Sequence, residues 1–68
     1  MIVELLNRLR SKTPFDPFCV KLVNGDRHDV VYADLIVLMD EGVYIAAQDG
    51  TWVEFPYRSV ASVESLLA

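Results

Sequence analysis

Apolar residues first recur at helical spacing, with Ile2, Leu5, Leu6 and Leu9 on one side and Glu4, Asn7, Arg8 and Ser11 on the other. This spacing predicts an amphipathic helix over residues 2–11. Thr13-Pro14 and Asp16-Pro17 end it, because a proline pushes the residue before it out of helical backbone space. A helix this short is unstable alone and has to lie on an apolar surface. From Phe18 the period becomes two, with Phe18, Val20 and Leu22 on one face and Cys19, Lys21 and Val23 on the other. Asn24-Gly25-Asp26 is a hairpin signal, since Asn and Gly tolerate positive φ. Further strands are predicted at 27–32, 35–40, 43–48 and 51–55, separated by a bend at Ala33-Asp34 and turns at Glu41-Gly42 and Asp49-Gly50. Val53, Phe55 and Tyr57 share a face, and Trp52 falls in the opposite phase. Pro56 marks a strand end or an edge. A helical turn at 58–61 and a last strand at 62–66 complete the chain, although Val60, Val63 and Leu67 also suit a helix.

A helix followed by five or six short strands joined by tight turns predicts a mainly β fold with one N-terminal helix. The expected architecture is a single domain over 1–68, a small antiparallel barrel of the SH3-like or Sm-like kind formed by residues 18–66. An antiparallel sheet with one wet face alternates apolar and polar residues, yet Val30-Val31-Tyr32 and Leu35-Ile36-Val37-Leu38-Met39 do not. Both faces therefore need cover. With 68 residues, 53% of them hydrophobic, the chain cannot bury both faces and protect its strand edges by itself. Homo-oligomerisation is expected, with Val31 and Val37 at the interface.

Charge narrows the partners. Six basic against ten acidic residues give a net charge of −4, which disfavours a broad nucleic-acid surface. The distribution is uneven, with Arg8, Arg10 and Lys12 opposed only by Glu4 in the first twelve residues, so a small basic patch forms near the N-terminus. With Arg58, and with strand-borne aromatics such as Trp52 and Tyr44 that stack on bases in oligonucleotide-binding barrels, this patch is a candidate ligand surface; core or interface packing is the simpler reading of the aromatics, and a solvated helix face explains the N-terminal cations equally well. Cys19 is alone, which excludes an intrachain disulfide and cysteine-rich metal spacing and points to a reducing compartment. The longest apolar run, residues 30–39, is about half a membrane span and contains Asp34. No signal peptide is read at the N-terminus, and cytoplasmic residence is the expectation.

Asp26-Arg27-His28-Asp29 is the only cluster suited to acid–base work. On a strand Asp26 and His28 share a face while Asp29 points away, so a solvated turn is the simpler reading. One histidine with two unfixed carboxylates falls short of a metal site. Ser59, Ser62 and Ser65 occur without a nucleophile elbow. No catalytic residue, cofactor or metal is expected.

The stretch Thr13-Pro14-Phe15-Asp16-Pro17-Phe18-Cys19-Val20-Lys21-Leu22-Val23-Asn24-Gly25, with Val30 and then Leu35 to Leu38, resembles a family of small uncharacterised bacterial proteins. In these a short helix precedes Pro-Phe-x-Pro-Phe and a strand-rich remainder; the family brings architecture and no activity. A second resemblance, to the Sm-like fold and the Hfq family, rests on the N-terminal helix, Val20 to Gly25, Leu35 to Met39, and Tyr57-Arg58-Ser59-Val60-Ala61-Ser62-Val63. It implies ring assembly and single-stranded RNA binding, with Tyr57 and Arg58 at the position of the family's Tyr-Lys-His segment. Ser59 stands where the histidine is expected, Val30 where a second glycine is expected, and an additional hairpin lies between Gly42 and Phe55.

Overall fold

A computed structural model describes residues 2–67. The elements are α1 (Ile2–Ser11), β1 (Phe18–Leu22), β2 (Arg27–Val30), β3 (Ile36–Leu38), β4 (Gly42–Ala46), β5 (Trp52–Pro56) and β6 (Val60–Ser65). Short 3-10 turns at Ala33–Leu35 and Tyr57–Ser59 join β2 to β3 and β5 to β6. The strands form two antiparallel three-stranded sheets, ordered β2-β1-β6 and β3-β4-β5, and no ladder joins one sheet to the other among the described residues. The protein is thus mainly β with one N-terminal helix.

Two of the three hairpin turns, β1-β2 and β4-β5, owe their geometry to the residues expected there. Gly25 and Gly50 have positive φ of 96° and 90°. Asn24 Oδ1 accepts from the Asp26 N–H at 3.0 Å, and Asp49 Oδ1 accepts from the Thr51 N–H at 3.0 Å and the Thr51 hydroxyl at 2.7 Å. These are the local side-chain bonds that make Asn and Asp turn formers. Gly42 differs. It opens β4, lies buried opposite Pro56, and a Cβ there would stand 2.5 Å from the Phe55 carbonyl oxygen. Its role is close backbone approach rather than the turn that the Glu41-Gly42 pair predicts.

One core serves both sheets. Leu6 of α1 meets Phe18, Val20, Leu22 and Val30 of the first sheet and Ile36, Val43, Ile45 and Phe55 of the second, all buried. Ile2, Leu9, Phe15, Val53, Tyr57, Val60 and Val63 pack around them. The helix is fixed from outside by Arg10, whose Nε donates to the Ile36 carbonyl at 3.0 Å.

Four expectations are adjusted. Leu5 remains exposed, because Leu6 and Leu9 face the core. β2 stops at Val30, leaving Val31 and Tyr32 outside the ladder, exposed, ahead of a 3-10 turn where a bend is expected. The second helical turn begins at Tyr57 and ends by Ser59. The last strand consequently starts at Val60, whose N–H bonds back to the Tyr57 carbonyl. The register of β1 against β6 jumps from Lys21–Ser62 to Leu22–Val60, so Ala61 is an inserted bulge residue. That insertion explains why Val60 and Val63, three apart, both turn inward and why the segment imitates helical periodicity.

Gly42→Ala should destabilise the fold by about 2 kcal/mol, the cost of forcing backbone apart in a packed interior. Chemical denaturation measures it, and an unchanged midpoint would contradict the close approach of β4 to β5.

Candidate functional site

The outer faces of the two sheets differ in kind. On the first, Cys19 sits on the central strand opposite Asp29 and Glu64 and is fully buried. Its neighbours are charged: Lys21 Nζ lies 3.0 Å from Glu64 Oε1. The Arg27 guanidinium has its pKa raised, first by Cys19 beside it and then by Asp29 and Glu64. Long charged side chains thus cover the thiol with their stems while holding their heads in water, and the face is solvated and locally neutralised.

On the second sheet the outer face carries Val37 and Met39 from β3 and its continuation, Tyr44 and Ala46 from β4, and Trp52 and Glu54 from β5. Register sets Val37 beside Tyr44, Tyr44 beside Glu54, and Ala46 beside Trp52. Cross-strand neighbours on one face touch, so these residues form a continuous patch. Val37, Met39 and Trp52 keep 37%, 52% and 53% of their surface exposed, which makes the patch apolar and uncovered. The Tyr44 pKa is raised, first by hydrogen bonding to Glu54 and then by the charges of Glu54 and Glu41. Leu38, Met39, Asp40, Glu41, Tyr44 and Glu54 line a hollow of 430 Å³ at one end of this face.

The cations singled out from sequence are dispersed in their roles. Arg10 is committed to the Ile36 carbonyl, and Lys12 pairs with the Asp16 carboxylate. Arg8 is exposed on α1 and has no hydrogen bond or ion pair among the described residues. Tyr57 donates its hydroxyl to the Met39 carbonyl at 2.6 Å, and burial with the Asp40 charge raises its pKa. That hydroxyl pins the turn after β5 to the end of β3. Arg58 is exposed in the same turn. Trp52 begins β5 and Arg58 follows its end, a separation of about 15–20 Å along an extended strand. No aromatic or polar contact joins Trp52 to the α1 cations among the described residues. Val31 is 43% exposed at the rim of a separate groove of 740 Å³ lined also by His28, Tyr32, Leu35 and Ala46.

His28 does not stand in a solvated turn. Its ring stacks on Phe55 at 5.7 Å and 14°, on the inner face of β2, while Asp26 is engaged by Asn24. Among the described residues no three His, Cys, Asp or Glu side chains gather as a metal ion would require, and no helix is long and apolar enough to cross a membrane. Met39 and Glu54 belong to the patch but were not singled out from sequence. Stepping by two from Val37 and from Trp52 is the signal that reaches them. No protein-family model, curated protein or solved structure matches the chain.

The Asp49 carboxyl lies below its ordinary value because the Thr51 hydroxyl, and then its N–H, donate to the carboxylate. A lowered carboxyl pKa stabilises the fold above the unfolded-state value, and the effect is lost as pH falls through the folded-state value. Thr51→Val should therefore raise the Asp49 titration point in an NMR titration and reduce stability at neutral pH. The stability difference should vanish on acidification; a constant difference across pH would refute the assignment.

Proposed function

We propose that the chain is a non-enzymatic module of the Sm-like or SH3-like kind, a partly open barrel that assembles with copies of itself and acts as a binding or scaffold unit. The observation that carries the reading is a pair of longer edge strands, β5 and β6, whose outward main-chain groups are open except at Pro56. Each sheet has two edges, β2 and β6 in one, β3 and β5 in the other. β2 and β3 are short, at 4 and 3 residues, and Arg10 occupies a carbonyl of β3. β5 and β6 are longer, at 5 and 6 residues, and each pairs on one side only. The Leu66 N–H donates to Pro17 on β1's side, so alternation turns the main-chain groups of Ser65 and Val63 outward. β6 has neither Pro nor Lys, the residues that ordinarily block edge pairing. On β5 the Ala47–Thr51 bond likewise turns Trp52 and Glu54 outward; Pro56, in the same phase, has no N–H to offer an added strand, so the open part of this edge is Trp52 to Glu54.

Barrel character draws support from the two 3-10 turns, each of which hands the chain from one sheet to the other around a shared core. Such corners are how orthogonally packed sheets and small barrels are built. The helix at the start and the 3-10 turn before the last strand also agree with the order of elements on which the Sm-like resemblance rests. β6 of one copy can then pair with β5 of the next, a head-to-tail contact that closes into a ring when the rotation allows. An interaction subunit of a larger complex, with no nucleic-acid role, is the second reading, favoured by the uncovered patch on β3, β4 and β5.

Native mass spectrometry should give a discrete multiple of the 7.7 kDa chain. Ser65→Pro, which removes one outward N–H, should return it to a single chain with its strand circular dichroism retained. A wild-type chain that stays monomeric at high concentration overturns the reading. For the RNA role implied by the resemblance, Arg8→Glu should abolish salt-sensitive binding of single-stranded RNA. Absence of any binding at low salt removes that role and leaves assembly standing.

A further inference from the structure

We infer that the outer face of the β3-β4-β5 sheet is a docking surface for a cationic amphipathic segment of another protein. The apolar part of the surface is Val37, Met39, Ala46 and Trp52 with the ring of Tyr44, side by side in the register of the sheet. The charge that the sheet's own segment carries has one sign, and the cation beside it, Arg10, is committed to the Ile36 carbonyl at the β3 edge. From Tyr32 to Tyr57 the chain has no Lys or Arg and five acids: Asp34, Asp40, Glu41, Asp49 and Glu54. Glu54 stands on the patch itself, Asp40 and Glu41 line the hollow at one end of it, and Asp49 precedes Trp52 in the adjoining turn. The first sheet's outer face has no such bias, since Lys21 and Arg27 lie among Asp29 and Glu64.

A cover for this face has to satisfy both features. An apolar stripe buries Val37, Met39 and Trp52, whose exposed surface is otherwise an uncompensated cost. Flanking cations meet the carboxylates and the faces of Trp52 and Tyr44. A nucleic acid brings phosphates to carboxylates and is repelled. A second copy carries the same net charge of −4, and two of its three N-terminal cations, Arg10 and Lys12, are already engaged within their own chain. A foreign basic, apolar segment fits best. This surface is the side-chain face of the sheet, distinct from the main-chain edges used in the assembly proposed above.

Trp52 is the chain's single tryptophan, so its fluorescence reports on the face directly. The probe is a soluble helical peptide with leucines at i, i+3, i+4 and i+7 flanked by lysines, compared with the same peptide bearing glutamates for lysines. Titration of the full chain with the lysine peptide should shift Trp52 emission to the blue, with affinity falling as salt rises. Glu54→Lys, followed by the same emission, and Trp52→Ser, followed by calorimetry, should each weaken binding by at least about tenfold, as loss of a central contact does. Both positions are exposed, so circular dichroism should be unchanged. Glu4→Lys makes the same change in net charge on the exposed face of α1 and should alter binding less than about twofold if attraction is local. Ser65→Pro should leave peptide binding intact, which separates this surface from the assembly edges. Equal binding of the glutamate peptide, or equal loss in Glu4→Lys, overturns the proposal. So does a Trp52→Ser chain whose oligomeric mass collapses, because that result gives the face to a second copy.

Discussion

Everything else in the molecule depends on two small sheets sharing one set of buried side chains. A three-stranded sheet with strands of three to six residues has too little apolar face to be stable unless another layer covers it. Here each sheet is the other's cover, and Leu6 adds a side chain from α1 to the same core. The constraint reaches the backbone. For the inner faces to meet, the chain must pass from one sheet to the other twice, and it does so at Ala33–Leu35 and Tyr57–Ser59. The second corner is tied by Tyr57 to the Met39 carbonyl and by the Val23 N–H to the Ser59 carbonyl at 2.8 Å. Gly42 belongs to the same requirement, since only a residue without Cβ lets β4 run that close to the Phe55–Pro56 backbone.

Because the inner faces take the strongest apolar residues, the outer faces are free to differ. The first sheet solves its outer face internally: its one small buried group, Cys19, lies under charged side chains of both signs. The second sheet's own segment has carboxylates but no Lys or Arg between Tyr32 and Tyr57, and Arg10 reaches it only at the β3 edge. Tyr44 lies among these carboxylates, its phenol pKa raised first by Glu54 and then by burial and the Glu41 charge. Apolar surface and unbalanced charge on one face are opposite solvation problems, and only a partner that is apolar in the middle and cationic at the rim resolves both.

Most of the element order was legible because period-two alternation and Gly-containing turns are local signals. The helix, the Asn24-Gly25 and Asp49-Gly50 turns and the shared face of Phe18, Val20 and Leu22 all follow from residues within a few positions of one another. What sequence could not give depends on distant pairing. Gly42 reads as a turn residue until Phe55 is known to lie against it. Val60 and Val63 look helical until the bulge at Ala61 is placed by β1. His28 reads as a solvated residue until Phe55 is found stacked on its ring. The candidate surface divided in the same way. The outward phase of Trp52 and the exposure of Val37 were local, whereas the engagement of Arg10 by Ile36 lies 26 residues away in sequence and could not be read from composition.

The strand β5 shows how so small a chain can offer two surfaces without conflict. In an extended strand the main-chain N–H and C=O groups lie in the plane of the sheet, while side chains stand perpendicular to it. Trp52 and Glu54 therefore turn their main chain toward the open edge and their side chains toward the outer face. The proposed edge pairing between copies and the proposed docking on the face would draw on different atoms of the same residues, in directions about 90° apart. An added strand at β5 would also extend the outer face laterally, so the proposed assembly would enlarge the proposed docking surface instead of hiding it. In this geometry, 68 residues suffice for both contacts because the sheet is only three strands wide. Its edge and its face are never more than one strand apart.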